Sequence, residues 1–298
     1  MGTARVIVKR RKFIIGYHEQ DQWTWLIASA FFFGKIGAGL FFVSLLLGEG
    51  NRMGILVGTL IVLIGKGGAH LLYLGRPERF WRAMLRPATS WVSRGLIAMG
   101  VLIGFGIIFY FVAPPYSQPI QALRAIALLV ALFVMIYDGF LMNSSPAIQF
   151  WNNALLPVLC FFYALLGGST LTFLLASLST SGVVRMEQIE SLETSILLFN
   201  LALLIIYLVS ASGASSGARV SVEELLSGRF RMPFLLGVVV VGIGVAIGAD
   251  LLFAADRNVA YLWLLLAGDL VGHFLVFYLF LRAGVFSPQR LRGPERYA

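Results

Sequence analysis

The stretch PFLLGVVVVGIGVAIGADLLFAA, residues 233–255, decides the fold, because it carries a single ionisable side chain, Asp250, in a run long enough to cross a bilayer. At the rise of an α-helix it reaches roughly 34 Å, slightly more than the hydrocarbon core. Its glycines, Gly242, Gly244 and Gly248, spell part of a dinucleotide-binding fingerprint, but no strand precedes them and they sit within an apolar span. Small residues there serve close helix packing. Reading outward, comparable windows fall at 23–47, 54–74, 92–113, 120–143, 154–177, 194–211, 233–255 and 259–282. A chain that is 59% hydrophobic and 12% charged, with mean hydropathy +0.86, leaves little for an extramembrane domain. The predicted fold class is an all-α integral membrane protein with eight transmembrane helices. A basic N-terminal segment (1–22) precedes the eight-helix domain (23–285), and a basic tail (286–298) follows it.

An even number of spans puts both termini on one side. The segment before the first span carries Arg5, Lys9, Arg10, Arg11 and Lys12 without a short apolar core and small-residue cleavage site, so it does not read as a cleaved signal peptide. Loops on the terminal side add Arg76, Arg79, Arg82 and Arg86, then Arg219, Arg229 and Arg231, then Arg282, Arg290, Arg292 and Arg296. The opposite side has little beyond Arg52, Arg124, Arg185 and Arg257. The positive-inside bias therefore predicts cytoplasmic termini. The net charge of +9 is accounted for by juxtamembrane basic residues facing anionic lipid, with no pattern for nucleic acid.

The single cysteine, Cys160, excludes an iron–sulfur cluster and an internal disulfide within the chain. Three histidines, His18, His70 and His273, are too few for the facing pairs of a multihaem anchor, so the expectation is no haem and no metal. GxxxxGK[ST], HExxH and cysteine clusters are all missing, which leaves nucleotide hydrolysis and metalloprotease chemistry unsupported.

Two segments on the terminal side carry the most information. The first is HLLYLGRPERFWRAMLRPATSWVSRG, residues 70–95, whose prolines and arginines read as a structured cap. Its arginines either anchor helix ends to lipid phosphates or, interleaved with Phe80, Trp81 and Trp91, form a docking face for a protein partner. The second is YDGFLMNSSPAIQFWN, residues 137–152. A tyrosine hydroxyl beside a carboxylate just below the surface can donate to a quinone carbonyl and pass on a proton. The competing reading makes Tyr137 an interfacial belt residue and pairs Asp138 with an arginine such as Arg94.

These two segments resemble the signature regions of the NrfD/polysulfide reductase (PsrC-type) membrane-subunit family. The resemblance implies an eight-helix, haem-free anchor in the prokaryotic cytoplasmic (inner) membrane, a subunit rather than a complete enzyme. Such an anchor exchanges electrons between membrane quinone or quinol (menaquinone or ubiquinone) and a ferredoxin-like iron–sulfur subunit, itself attached to a catalytic molybdenum or multihaem subunit. It further implies that Tyr137 contacts the quinone head group near that partner, with docking through Arg76, Arg79, Arg82, Arg86 and Trp151. The family pattern has a histidine and an asparagine early in the first helix, where this chain has residues Trp23 to Ala30. His70 is therefore the substitute candidate at the head group, with Asp138 as its proton partner and Arg94 and Ser29 as further contacts.

Deeper polar residues predict a proton path, with the lysines reading either as proton relays or as counter-ions for acids. Lys35 and Lys66 lie near the middles of the first and second spans, Asp250 lies in the seventh, and Asp269 and His273 share one face of the eighth. For Asp269 and His273 a structural hydrogen-bonded pair between helices is the favoured reading over a second polar path. A secondary transporter, with Lys35, Lys66, Asp138, Asp250 and Asp269 lining a substrate path, is the alternative function. Against it, Pro77, Pro87, Pro114, Pro115, Pro146 and Pro233 sit at helix ends rather than at midplane. The expected architecture is a bundle of the first four or five helices around the quinone, with the rest packed beside it. The role of the polar segment Ser179–Glu193 is not readable.

Overall fold

The computed structural model describes residues 16–47, 51–112, 114–178 and 186–287, with the side chains of 186–192 outside the description. Most of the basic N-terminal segment and of the tail therefore lies outside the described residues. Eight helices are long and apolar enough to cross a membrane: Trp25–Leu47, Arg52–Tyr73, Trp91–Phe111, Gln118–Asn143, Leu155–Leu178, Glu193–Ala214, Pro233–Asp256 and Val259–Arg282. These are the first to eighth helices below, and they match the expected spans to within a few residues. The sixth is the membrane part of a longer helix, Met186–Ala214. Outside them lie a 3-10 helix, Pro77–Met84, and a short α-helix, Ser216–Leu226. One two-stranded pairing, His18–Glu19 against Val285–Phe286, adds a trace of β-structure to the all-α expectation. It ties the two described ends of the chain to one face, as an even number of crossings requires.

Helix ends are set by local chemistry. Asn51 accepts from the amide of Gly54, Ser90 from that of Ser93, and Ser215 from that of Ala218, so side chains satisfy amides that the first turn leaves free. On the opposite face, Arg124 of the fourth helix donates to the carbonyls of Leu45 and Leu46 and closes the C-terminal end of the first helix.

The first helix is the hub. Its most apolar window is 78% buried within the protein, against 33% for the second and seventh, which therefore offer most of their surface to lipid. The hub packs against the second, fourth, fifth and eighth helices. Its crossing with the fifth is backbone to backbone: a Cβ at Gly39 would lie 1.9 Å from the Ala164 carbonyl oxygen, and one at Gly168 2.3 Å from the Gly39 carbonyl carbon. Without a hydrophobic drive between helices in lipid, such close approach is how they gain contact. The seventh and eighth helices meet the same way at Gly242 and Gly272.

Two apolar cores flank this axis. One joins the first five helices around Phe41, Phe105 and Phe109. The other joins the first and fifth to the sixth, seventh and eighth around Phe150, Tyr207, Phe277 and Phe280. The expected bundle of four or five helices is thus real, but the remaining helices share its two central members rather than lying beside it.

The Gly39–Gly168 crossing yields a direct test. Gly168→Leu forces the two backbones apart and is expected to cost about 3 kcal/mol, the upper part of the usual over-packing range. Gly104→Leu, at a position with nothing within 4 Å of an added Cβ, is expected to be neutral. Thermal unfolding of both variants in matched detergent checks this.

Candidate functional site

Three side chains from three helices meet beneath the loop between the second and third helices. Asp138 lies about a turn and a half inside the end of the fourth helix, Lys66 about two turns inside the end of the second, and Lys35 about three turns into the first. Lys35 Nζ lies 3.2 Å from Asp138 Oδ2, and Lys66 Nζ lies 3.0 Å from Oδ1 and 3.3 Å from Oδ2. All three side chains are 0% exposed. The ammonium groups also donate to carbonyls, Lys35 to Phe31 and Lys66 to Ala30. Aromatic faces complete their shells: Lys35 sits 3.8 Å from the Phe277 ring centre, and Lys66 4.7 Å from that of Tyr137. Two lysines against one carboxylate leave one surplus positive charge when all three are ionised, and carbonyls and ring faces are what surround it.

The backbone is shaped to admit these groups. The second helix runs as a π-helical stretch over Ile61–Lys66, a local rewinding that often marks functional positions, and it ends on the lysine itself. A Cβ at Gly34 would lie 2.6 Å from Lys66 Cδ and Nζ, so the absence of a side chain on the first helix makes the lysine's channel. Gly95 does the same for Tyr137, whose ring would come within 2.3 Å of an added Cβ. The tyrosine ring also stacks on Phe133 at 6.3 Å.

The structure thus brings together Tyr137, Asp138, Lys35 and Lys66, with His70 half-buried one turn beyond Lys66 toward the arginine loop. Several expectations change. Of the two readings of the lysines, the ion pairs fit counter-ions: both pair with Asp138, at the level of Tyr137. Asp138 is held by the lysines, not by His70 or Arg94. Arg94 instead donates to the carbonyls of Pro87 and Ala88, each at 2.7 Å, and lies over Trp91, which stacks on Phe140. It therefore staples the loop to the third helix. Ser29 is half-buried nearly two turns from Lys35 and makes no hydrogen bond to the triad. Trp151, expected on the docking face, is only 2% exposed: it stacks on Trp23 at 5.3 Å and donates to the Phe280 carbonyl. Its indole has an internal partner, so burial wins over display.

The loop itself is open. Arg76, Arg79, Arg82 and Arg86 are exposed, as are Phe80, Trp81 at 47% and Leu85. Nothing on the 3-10 helix Pro77–Met84 is buried, so its aromatics are available to lipid or to a partner.

A second buried polar centre lies nearer the opposite face. The Thr170 hydroxyl of the fifth helix is 2.8 Å from Glu193 Oε1 and 3.3 Å from Asp269 Oδ2. Asp250 is hydrogen-bonded to Thr194 instead. The expected Asp269–His273 hydrogen bond is not made: both ring nitrogens of His273 lack a hydrogen-bond partner among the described residues. Its ring packs instead against Phe32, Tyr163 and Phe277. Glu193 and Thr170 are additions that sequence reading missed. Glu193 looked like the end of a polar loop, and a threonine in an apolar helix ordinarily bonds its own backbone, as Thr170 also does to Leu166. Groups of three or more potential metal ligands are missing among the described residues.

Comparison with known proteins agrees with this architecture. The family model described as polysulphide reductase, NrfD matches residues 15–288. The NrfD homolog of Haemophilus influenzae is 25% identical over 267 residues, 78% of this chain and 81% of that protein. NrfD of Escherichia coli is 23% identical over 268 residues, covering 76% and 83%. A shorter stretch of 72 residues is 38% identical to a sulfite dehydrogenase subunit of Allochromatium vinosum, 23% of this chain and 21% of that one. Matched by the family almost from the first described residue to the last, and crossing the membrane eight times, the chain belongs to the NrfD family of polysulphide reductase membrane proteins.

Proposed function

We propose that this chain is the membrane subunit of a redox complex, exchanging electrons between a membrane quinone and a docked iron–sulfur subunit. The observation that carries the reading is the buried Lys35–Asp138–Lys66 triad, two lysines on one carboxylate, set against Tyr137 beneath an exposed arginine and aromatic loop. Family membership and the sulfite dehydrogenase subunit among its relatives support it. They favour it over the transporter alternative.

The residues suit a quinone head group. Tyr137 and His70 supply hydrogen-bonding groups, and beside His70 the second helix presents Gly68, with nothing within 4 Å of an added Cβ, and the exposed Ile64, Leu71 and Leu72. Donors next to an open, lipid-facing apolar notch match a polar ring on an isoprenoid tail. When bound, a quinone supplies a two-electron, two-proton couple.

The chain's own part is electrostatic and protonic. A negative charge about 5 Å from the Lys66 ammonium gains roughly 3 kcal/mol at an effective dielectric of 20, an interaction that screened surface arginines cannot match. The Tyr137 hydroxyl fixes orientation by hydrogen bonding, and His70, in the last turn of its helix, exchanges protons with the loop face. Asp138 is the carboxylate whose charge the lysines hold in place. Arg76, Arg79, Arg82 and Arg86 with Trp81 form the docking face for a ferredoxin-like iron–sulfur subunit, and through it a catalytic molybdenum or multihaem subunit. The setting is the prokaryotic inner membrane with both termini cytoplasmic. Proton translocation across the membrane would use Lys35, Lys66, Asp250, Asp269 and His273. Such a route must pass the layer of Phe32 and Phe277 between Lys35 and His273.

Four outcomes are expected. The complex extracted anaerobically in mild detergent contains stoichiometric non-haem iron in an assembly heavier than this chain, and Arg79→Glu with Arg82→Glu lowers the iron recovered. An iron-free species of chain mass under the gentlest extraction overturns the reading. Tyr137→Phe weakens quinone-site inhibitor binding about tenfold, the worth of one hydrogen bond, without loss of fold. Asp138→Asn leaves two buried lysines unpaired and lowers stability by about 3–5 kcal/mol. Lys66→Met leaves a neutral Lys35–Asp138 pair, so it costs less stability, yet slows quinol-dependent turnover about 100-fold. Thermal unfolding measured beside turnover separates these two effects.

A further inference from the structure

The second polar centre borders a cavity that the quinone head group does not use. About 10 Å³ is open to a water centre there, room for one water and nothing larger. Polar groups from three helices line it: Tyr163 from the fifth, Asn200 from the sixth, and Asp269 and His273 from the eighth. The seventh helix contributes only apolar walls and the Gly242 contact with Gly272. Of the lining groups, both nitrogens of His273 and Oδ1 of Asn200 are buried without a hydrogen-bond partner among the described residues. Asn200 uses its amide nitrogen on the Phe162 carbonyl, which leaves the oxygen to face elsewhere. A polar cavity of one-water size with several unsatisfied groups around it is the setting in which buried water is ordinarily held.

The adjoining carboxyl pair adds a proton count. Thr170 Oγ1 has three oxygen neighbours, at 2.8 Å on Glu193, 3.3 Å on Asp269 and 3.0 Å on the Leu166 carbonyl. A hydroxyl has one proton to donate, and a carbonyl can only accept. With both carboxyls ionised, acceptor faces acceptor across the threonine. With one proton on the pair, one carboxyl donates to Oγ1 and the hydroxyl donates to the other, so both carboxyl contacts become hydrogen bonds.

We propose that this centre is a built site for one water molecule and one exchangeable proton. The water bridges His273 and Asn200 beside Asp269, and the proton is shared by Asp269 and Glu193 through Thr170. Among the described residues the titratable groups facing it are Tyr163, Glu193, Asp269 and His273. Asp250 bonds to Thr194, and Lys35 lies against the Phe277 ring that also contacts His273. The site stands on its own geometry and does not depend on the quinone reading.

Infrared spectroscopy of the full chain in lipid vesicles tests it. At neutral pH the wild type is expected to show a carboxylic-acid carbonyl band that shifts in D2O. It is also expected to show a narrow water O–H band that shifts in oxygen-18 water. Asp269→Asn or Glu193→Gln removes the first, and Asn200→Leu, which fills the cavity, removes the second. A wild-type spectrum with only ionised carboxylates at neutral pH overturns the shared proton without any variant. An acid band surviving in both carboxyl variants does so too. A water band unchanged in Asn200→Leu, or absent from the wild type, overturns the water site. Should one carboxyl variant fail to fold, the other decides.

Discussion

Everything on the loop side of this membrane protein depends on the placement of Asp138 between two lysines. An ionised group inside the hydrocarbon region costs a few kcal/mol even by lenient scales, and three of them are fully buried here. Because the lysines come from the first and second helices and the carboxylate from the fourth, pairing pins three helices in one register. The accommodations run through the backbone: the π-helical stretch that ends on Lys66, the missing side chain at Gly34 beside it, and the notch at Gly95 for Tyr137. Each is a local departure from regular apolar packing, and each serves the same few side chains.

The same frame explains why two polar centres coexist without merging. The first and fifth helices cross so closely at Gly39 and Gly168 that their backbones touch, and this shared axis divides the interior into two cores. Lys35 faces one side of the hub and reaches Asp138. On the other side, His273 of the eighth helix lies among Phe32, Tyr163 and Phe277. The Phe277 ring contacts both Lys35 and His273, so the layer between the centres is aromatic. That ring is the contact shared by two sets of ionisable groups lying within a few side chains of each other.

The sequence revealed the crossings well, because an apolar run of helix length has few alternatives and Asp250 hardly interrupts its own. It revealed the importance of Tyr137, Asp138, Lys35 and Lys66 for the same reason, since charge in an apolar run is conspicuous. What it withheld was pairing. Lys66 read as either a relay or a counter-ion because its partner, Asp138, lies two helices away in the chain. Trp151 read as a docking aromatic because it follows a polar loop. Its partners, Trp23 and the Phe280 carbonyl, are far away in the chain and carry no local signal. Glu193 and Thr170 were invisible for a related reason: the hydrogen bond that gives them meaning joins two helices across a segment of unreadable role.

A structural role alone does not account for the triad. Replacing buried ion pairs with apolar residues of similar volume is often neutral or stabilising, so burial of charge is weak evidence for a purely architectural purpose. A structural pair would also tend toward neutrality, one lysine to one carboxylate. Here a second lysine is accommodated by a carbonyl, two ring faces and a glycine notch, at evident cost to regular helix packing. The second lysine lies beside a tyrosine and one turn from a half-buried histidine. That excess of lysine over carboxylate is the feature a simple fastening would not need.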